Sequence, residues 1–263
     1  MQRAQIRGNH REREILDEVR LAGGAARVRF LAERLGVSEE TIRRNVRTLE
    51  AGGHIRKVHG GVYLADAGNE QPFAQRMDEN PEAKRRIAAE VADIVADGDS
   101  LFLDVGSTTA YIAQALRRHS GLFVVTNSVA VAHMLATRNG NRVFMAGGEL
   151  RAHDGGAFGL EAVAFVRRFS VRYAILSVGA IHPQAGFMLH DMQEAEFARA
   201  IMPSAQTVII AADGNKMGRR AQIVLADPSA VDMVVTDAAP PAAIAAMFAR
   251  HDVDLVLAGG SAA

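Results

Sequence analysis

LAERLGVSEETIRRNVRTLEAGGHIRKVHGGV, residues 31–62, holds two helical patterns, a tight turn and a hairpin in one short stretch. Leu31 and Leu35 sit one helical turn apart and mark a short helix, closed by the turn Gly36-Val37-Ser38. Ser38 suits the N-cap of the next helix, because its hydroxyl can accept from an N–H of the first turn. There Ile42, Val46 and Leu49 recur at i, i+4 and i+7 as one apolar face, and Gly52-Gly53 stop the helix. Residues 54–58 and 62–64 flank Gly60-Gly61, which reads as a β-hairpin. Upstream, Ile15, Leu16 and Val19 give another helix face, with Gly23-Gly24 at its end. Three helices, a short turn between the second and third, and a hairpin describe a winged helix-turn-helix domain over residues 1–64.

The charge is placed to match. Residues 1–65 hold 13 Lys/Arg against 8 Asp/Glu, and residues 66–263 hold 17 against 22, so a neutral chain is basic at one end. In a helix-turn-helix the start of the third helix enters the major groove of double-stranded DNA. Arg43, Arg44 and Arg47 fall off its apolar face, and a guanidinium fork suits guanine or phosphate. Ser38, Thr41 and Asn45 supply further hydrogen-bonding groups. Arg56, Lys57 and His59 of the hairpin are expected to meet the DNA backbone, which gives affinity rather than sequence choice. An arginine-bearing helix alone is commonly just a solvated face. The order of turn, helix and basic wing favours an operator-binding head.

Residues 65–80, ADAGNEQPFAQRMDEN, lack periodicity and read as a linker to a second domain, residues 81–263. A long helix follows, with Ile87, Val91, Ile94 and Val95 on one face and Gly98 as its stop. Apolar runs at 101–105, 122–126, 142–146, 173–178, 207–211, 233–236 and 252–257 then alternate with helical stretches near 109–118, 128–138, 160–169, 191–202 and 240–250. Alternating βα units predict an α/β domain, a doubly wound and mostly parallel sheet with helices on both faces. Ligands in such folds bind at the carboxyl ends of the strands.

That edge carries the informative residues. LFLDVGSTTA, residues 101–110, runs from a strand through Gly106-Ser107-Thr108-Thr109 into a helix, where backbone N–H groups, hydroxyls and the helix dipole favour an oxyanion. GSTT also fits an ordinary capped turn. Three further loops end at the same edge, carrying Asn127, then Gly147-Gly148-Glu149 with Arg151, then Asp213-Gly214-Asn215-Lys216. Lys216 is the natural phosphate cation and Arg151 a second anion clamp, while Asp104, Asn127, Glu149 and Asp213 suit hydroxyls. Asp191 and Glu194 open a helix and read as capping groups.

The stretch 31–62 resembles the helix-turn-helix signature of the DeoR family of bacterial sugar-metabolism regulators, and the C-terminal motifs resemble that family's sensor domain. The resemblance implies a fold related to ribose-5-phosphate isomerase, a phosphorylated sugar or polyol as effector, and repression as the usual action. RAHDGGAFG at 151–159 and TDAAPP at 236–241 are most similar to the glycerol-3-phosphate regulon repressors of the family, which implies sn-glycerol 3-phosphate. The chain departs from the family pattern at Asn45, where Asp is usual, and at Arg27, where Ser or Thr usually starts the second helix. ADGNKMG at 212–218 stands for the usual A-D-x-S-K-F-G, and Arg199 for a frequent Lys.

Composition narrows the rest. With no cysteine, disulfides, thiolate metal sites and cysteine nucleophiles are excluded. The 9 His show no metal-ligand spacing, and no cofactor is expected. No apolar run reaches the ~18 residues of a membrane span, and the basic N-terminus lacks a signal-peptide core, so a cytoplasmic setting is expected. Two-fold operators call for a homodimer or homotetramer. The rival reading is a sugar-phosphate isomerase with an appended DNA-binding end. It needs a positioned base, and nothing marks Glu149 or Asp104 as one.

Overall fold

A computed structural model describes residues 10–22, 24–58, 60–64 and 73–259. The chain divides into two units, residues 1–70 with 219–221, and residues 71–218 with 222–263.

The first unit runs α1 (His10–Leu21), β1 (Ala25–Arg27), α2 (Val28–Leu35), α3 (Glu39–Ala51), β2 (Ile55–Val58) and β3 (Gly61–Leu64). Ile15, Leu16 and Val19 of α1 meet Leu31, Ile42, Val46, Leu49, Ile55 and Val62 in one buried cluster, so each expected apolar face finds the others. Gly36 closes α2 in the left-handed region at φ 62°, and Ser38 caps α3. Arg27 gives α2 no side-chain cap; instead the Val28 N–H donates to the Gly60 carbonyl at 3.2 Å. β1 was not anticipated. It pairs with β3 to make an antiparallel sheet in the order β1-β3-β2. A Cβ on Gly61 would stand 2.9 Å from the Ala26 carbonyl oxygen, so the pairing needs a glycine there. Val58 pairs with Gly61, so Gly61 belongs to β3 rather than to the turn between the strands. His59, Gly23, residues 1–9 and the linker portion 65–72 lie outside the described residues.

The second unit begins with α4 (Phe73–Asp78) and α5 (Pro81–Ile94). It continues through β4 (Ser100–Leu103), α6 (Ser107–Ala115), β5 (Phe123–Thr126), α7 (Val129–Leu135), β6 (Arg142–Met145), α8 (Leu160–Val166) and β7 (Val171–Leu176). Then come β8 (Ala180–His182), β9 (Gly186–Leu189), α9 (Met192–Ile201), β10 (Ala205–Ala211), β11 (Ile223–Ala226), β12 (Met233–Thr236), α10 (Ala242–Arg250) and β13 (Asp254–Leu257). Each of the seven apolar runs supplies one strand of a sheet ordered β13-β12-β10-β7-β4-β5-β6, and every pairing in it is parallel.

Side chains alternate across this sheet. Leu101, Leu103, Val124, Ile175 and Ile209 pack with α5, α6 and α7, while Phe102, Val125, Ala174, Leu176 and Ile210 pack with α8, α9 and α10. From β4 the chain builds outward through β5 and β6, then returns to place β7 on the other flank of β4. The order reverses there, at the carboxyl ends of β4 and β7, the place where ligands bind in such folds.

Two features depart from expectation. Residues 73–78, inside the stretch read as linker, are helical. The segment 180–226 contains a small antiparallel sheet, β11-β9-β8, that periodicity over three- and four-residue strands does not reveal. Arg199 fastens it, its Nε donating to the Leu225 carbonyl at 2.6 Å and its Nη2 to that of Val224.

Candidate functional site

On α3 the structure separates the expected DNA-facing residues. Arg44 and Arg47 are exposed and make no ion pair among the described residues, whereas exposed Arg43 pairs with Glu39 on its own helix. Ser38 Oγ accepts from the Thr41 N–H at 3.2 Å and lies 2.9 Å from Thr41 Oγ1, so both hydroxyls serve the helix start. Asn45 is buried, and its Nδ2 donates to the Thr41 carbonyl at 2.8 Å. It locks the helix interior instead of reaching outward. An aspartate could not donate this bond, which gives the departure at this position a local reason. Arg56 and Lys57, adjacent on β2, leave opposite faces of the wing.

In the second unit the GSTT turn sits at the reversal point. The Asp104 carboxylate, just past β4, accepts from the Ser177 N–H at 2.9 Å and from Ser177 Oγ at 3.2 Å, bridging the ends of β4 and β7. A Cβ on Gly106 would fall 2.2 Å from Ser177 Oγ, so this approach requires a glycine. Thr109 is wholly buried and its Oγ1 donates to the carbonyls of Asp104 at 2.9 Å and Gly106 at 3.1 Å; it staples the turn. The Ser107 and Thr108 hydroxyls have no partner among the described residues, and the first turn of α6 has no side-chain cap. Burial pushes the Asp104 carboxyl up to about 8, against the opposing pull of its bonds with Ser177 and Thr109.

The neighbouring loops divide into two groups. Asp213, buried after β10, accepts from the Asn215 N–H at 3.0 Å and from Asn80 Nδ2 at 3.3 Å. It thereby caps the turn Gly214–Lys216, and half-buried Lys216 makes no ion pair among the described residues. Gly218 N–H donates to the Ile181 carbonyl at 2.8 Å, joining this loop to the segment that follows β7. A cavity of about 550 Å³ opens beside Asp213, lined also by Asn80, Ala83 at the start of α5, and Asp237.

Lys84 joins this group, and the sequence reading missed it. It is buried on α5, and its Nζ donates to the Arg76 carbonyl. Burial lowers its pKa, nearby Asp213 opposes that, and Lys216 lowers it further. The signal was present: Lys84 lies on the apolar stripe of α5, one turn before Ile87 and Ala88. A lysine in such a stripe is buried at a cost unless it has partners.

On the other flank Asn127 is wholly buried after β5, its Nδ2 donating to the Ala157 carbonyl at 3.2 Å and its Oδ1 left unpartnered among the described residues. Gly147, Gly148 and Glu149 form an exposed loop after β6, where Gly148 adopts φ 130°. Arg151 departs most from expectation. It binds Asp154 and Glu194, lies 3.3 Å from Asp191, and stacks 4.2 Å over the Phe158 ring. Burial would lower its pKa, but Asp154 and Glu194 outweigh that and raise it. Burial likewise works to raise Asp154, yet Arg151 holds it below the usual carboxylate range. Three carboxylates around one guanidinium leave this spot net negative, which disfavours a phosphate. Asp191 also caps α9, accepting from the Glu194 N–H at 3.1 Å. Among the described residues no group of three or more His, Asp or Glu is placed to hold a metal.

Known proteins match both units. The model of the DeoR-like helix-turn-helix domain covers residues 11–67, and that of the DeoR C terminal sensor domain covers residues 79–238. The chain belongs to the DeoR family. Among relatives, it is 35% identical over 227 residues to the glycerol-3-phosphate regulon repressor of Escherichia coli (strain K12), spanning 86% of this chain and 90% of that one. It is 33% identical over 257 residues to the HTH-type transcriptional repressor CsqR of the same organism, spanning 98% of each. A D-ribose-5-phosphate isomerase in complex with phospho-erythronic acid superposes with a TM-score of 0.38 at 19% identity, over 52% of this chain and 53% of that one. The head and the sensor domain occur in one chain, and the protein is a DNA-binding transcriptional regulator rather than an isomerase. No helix among the described residues is long and apolar enough to cross a membrane.

Proposed function

We propose that this chain is a cytoplasmic repressor, acting as a homodimer or homotetramer, whose operator affinity is set by a phosphorylated polyol, sn-glycerol 3-phosphate in the first instance. The observation that carries the reading is the start of α6 at the sheet's reversal point, which has no side-chain cap and where the Ser107 and Thr108 hydroxyls have no partner among the described residues. The phosphate accepts from the amides and hydroxyls of Gly106, Ser107 and Thr108, and Lys216 and Lys84 supply the balancing charge. Asp104, Asn127 and Asp213 bind the polyol hydroxyls. Thr109 acts as a staple rather than a ligand, and Gly147, Gly148, Glu149 and Arg151 border the site. On the DNA side Arg44 and Arg47 read the groove, Arg43 joins them by exchanging Glu39 for DNA, and Ser38, Thr41, Arg56, Lys57 and His59 meet the backbone. Asn45 supports the helix from within. The names of the similar repressors support the ligand choice.

The test titrates sn-glycerol 3-phosphate and ribose 5-phosphate against the protein by thermal shift, because a ligand that prefers the folded form raises its melting point. The same ligands are then added to a duplex that the protein has selected from a random-sequence pool. Saturable binding of glycerol 3-phosphate that changes DNA affinity supports the reading. Turnover of either compound, or stabilisation by ribose 5-phosphate alone, counts against it.

A further inference from the structure

Side chains of the proposed ligand site, or one turn from it, reach α4 and the residue pair just beyond it. Tyr111 Oη donates to the Met77 carbonyl at 3.0 Å, and Tyr111 lies on α6, one turn past Ser107. Lys84 Nζ donates to the Arg76 carbonyl. Just beyond α4, Asn80 Nδ2 donates to Asp213 Oδ1 at 3.3 Å. These bonds hold the carbonyl end of a six-residue helix, too short to persist without tertiary support.

Asn80 is the unusual member. Asparagine is among the best N-caps, yet here it precedes α5 with no side-chain cap bond and sits in the left-handed region at φ 48°. Its amide is spent on Asp213, the residue that orders the turn carrying Lys216. Two of the three ties therefore use groups that an arriving phosphopolyol would claim, Lys84 through its phosphate and Asp213 through its hydroxyls. Lys84 and Lys216 repel one another across Asp213, so a phosphate seated by Lys216 attracts the Lys84 ammonium away from the neutral Arg76 carbonyl. Polyol hydroxyls compete with Asn80 for Asp213. The third tie, from Tyr111, depends on where α6 sits, and the start of α6 is where the phosphate lands.

We propose that α4 and Asn80 form a clasp that ligand binding opens, altering the chain segment that leads to the DNA-binding unit. The inference rests on the effector reading above and names its output. A ligand shifts such an equilibrium only through different affinity for the two states. Here that difference is the set of bonds lost at Arg76 and Asp213 and regained with the ligand.

The experiment uses the full chain, sn-glycerol 3-phosphate as probe, and the selected duplex. Hydrogen exchange at residues 74–80 is measured with and without ligand, and DNA affinity is measured for wild type and Tyr111→Phe. Tyr111→Phe removes one tie without touching the proposed ligand groups. The clasp predicts that saturating ligand speeds exchange at 74–80 by about tenfold, the scale of one hydrogen bond lost. It also predicts that Tyr111→Phe, without ligand, exchanges faster there and shifts DNA affinity roughly three- to tenfold in the direction the ligand shifts wild type. Asn80→Gly, which still permits the positive φ, repeats the test on a second tie. Unchanged or slower exchange at 74–80 in protein whose thermal shift proves it liganded overturns the clasp. So does a variant with loosened α4 and unaltered DNA affinity. If glycerol 3-phosphate gives no thermal shift, the ligand assignment fails; the two variants then decide the clasp alone, supporting it if they change DNA affinity and overturning it if they do not.

Discussion

Asp104→Asn tests how the ends of β4 and β7 are held together. In the folded protein burial pushes the carboxyl from 3.8 up to about 8. Between those two values the folded chain keeps a proton that the unfolded chain releases. Stability therefore falls as pH rises through the window and levels off above it. At about 1.4 kcal/mol per pH unit the ceiling on this loss is about 6 kcal/mol. The high effective dielectric felt even by buried groups reduces the measurable part to roughly 1–3 kcal/mol. Asparagine still accepts from the Ser177 N–H and carries no charge at any pH, so the variant escapes the penalty. Near pH 5 the two proteins should melt close together. At pH 8.5 the variant should melt higher by about 2–4 °C for each kcal/mol recovered. The assay is a pair of thermal melts across pH 4.5–9 in one ionic strength. A melting gap that stays constant across that range, or a variant that is less stable at pH 8.5, refutes the buried neutral acid.

Arg44→Ala and Arg47→Ala should each weaken binding to the selected duplex by about 1–3 kcal/mol, whereas Asn45→Ala should lower the melting temperature; anisotropy titrations and melts separate the two, and a large DNA defect in Asn45→Ala would contradict its buried role. Lys57→Ala should weaken all sequences alike and flatten the salt dependence by about one phosphate contact, read from titrations at several salt concentrations. Gly106→Ala should destabilise the sensor through its collision with Ser177 Oγ, and Ser177→Gly in the same chain should restore most of the loss; no rescue would place the strain elsewhere. Lys216→Ala should leave DNA binding intact and remove the thermal shift caused by glycerol 3-phosphate.

Much of this was legible because it is periodic. Ile42, Val46 and Leu49 gave α3 its inward face, and seven apolar runs gave the seven parallel strands with errors only at their ends. Composition also announced the glycines at 106 and 60–61. What stayed hidden depends on contacts distant in sequence. β1 is three residues long and exists because Gly61 lets β3 approach. α4 has no apolar period, and its ties come from Tyr111 and Lys84. Asp154 lies three residues from Arg151, but the other two partners of that arginine could not be foreseen, since Asp191 and Glu194 lie some 40 residues onward and arrive through the packing of α8 on α9. Asn45 looked like a groove contact because helix position alone does not say which polar residue turns inward.

The wing sheet closes between residues no more than 38 apart, Ala25 with Tyr63, while Leu101 must wait for Tyr173. Low sequence separation favours rapid formation, and a wholly parallel sheet is slow to assemble. On a ribosome the wing therefore has all its strands long before β4 can pair with β7. A chain that stops short of Tyr173 holds every strand of the wing but lacks the β4–β7 pairing that sets Asp104 against Ser177, so the proposed ligand site cannot form in it.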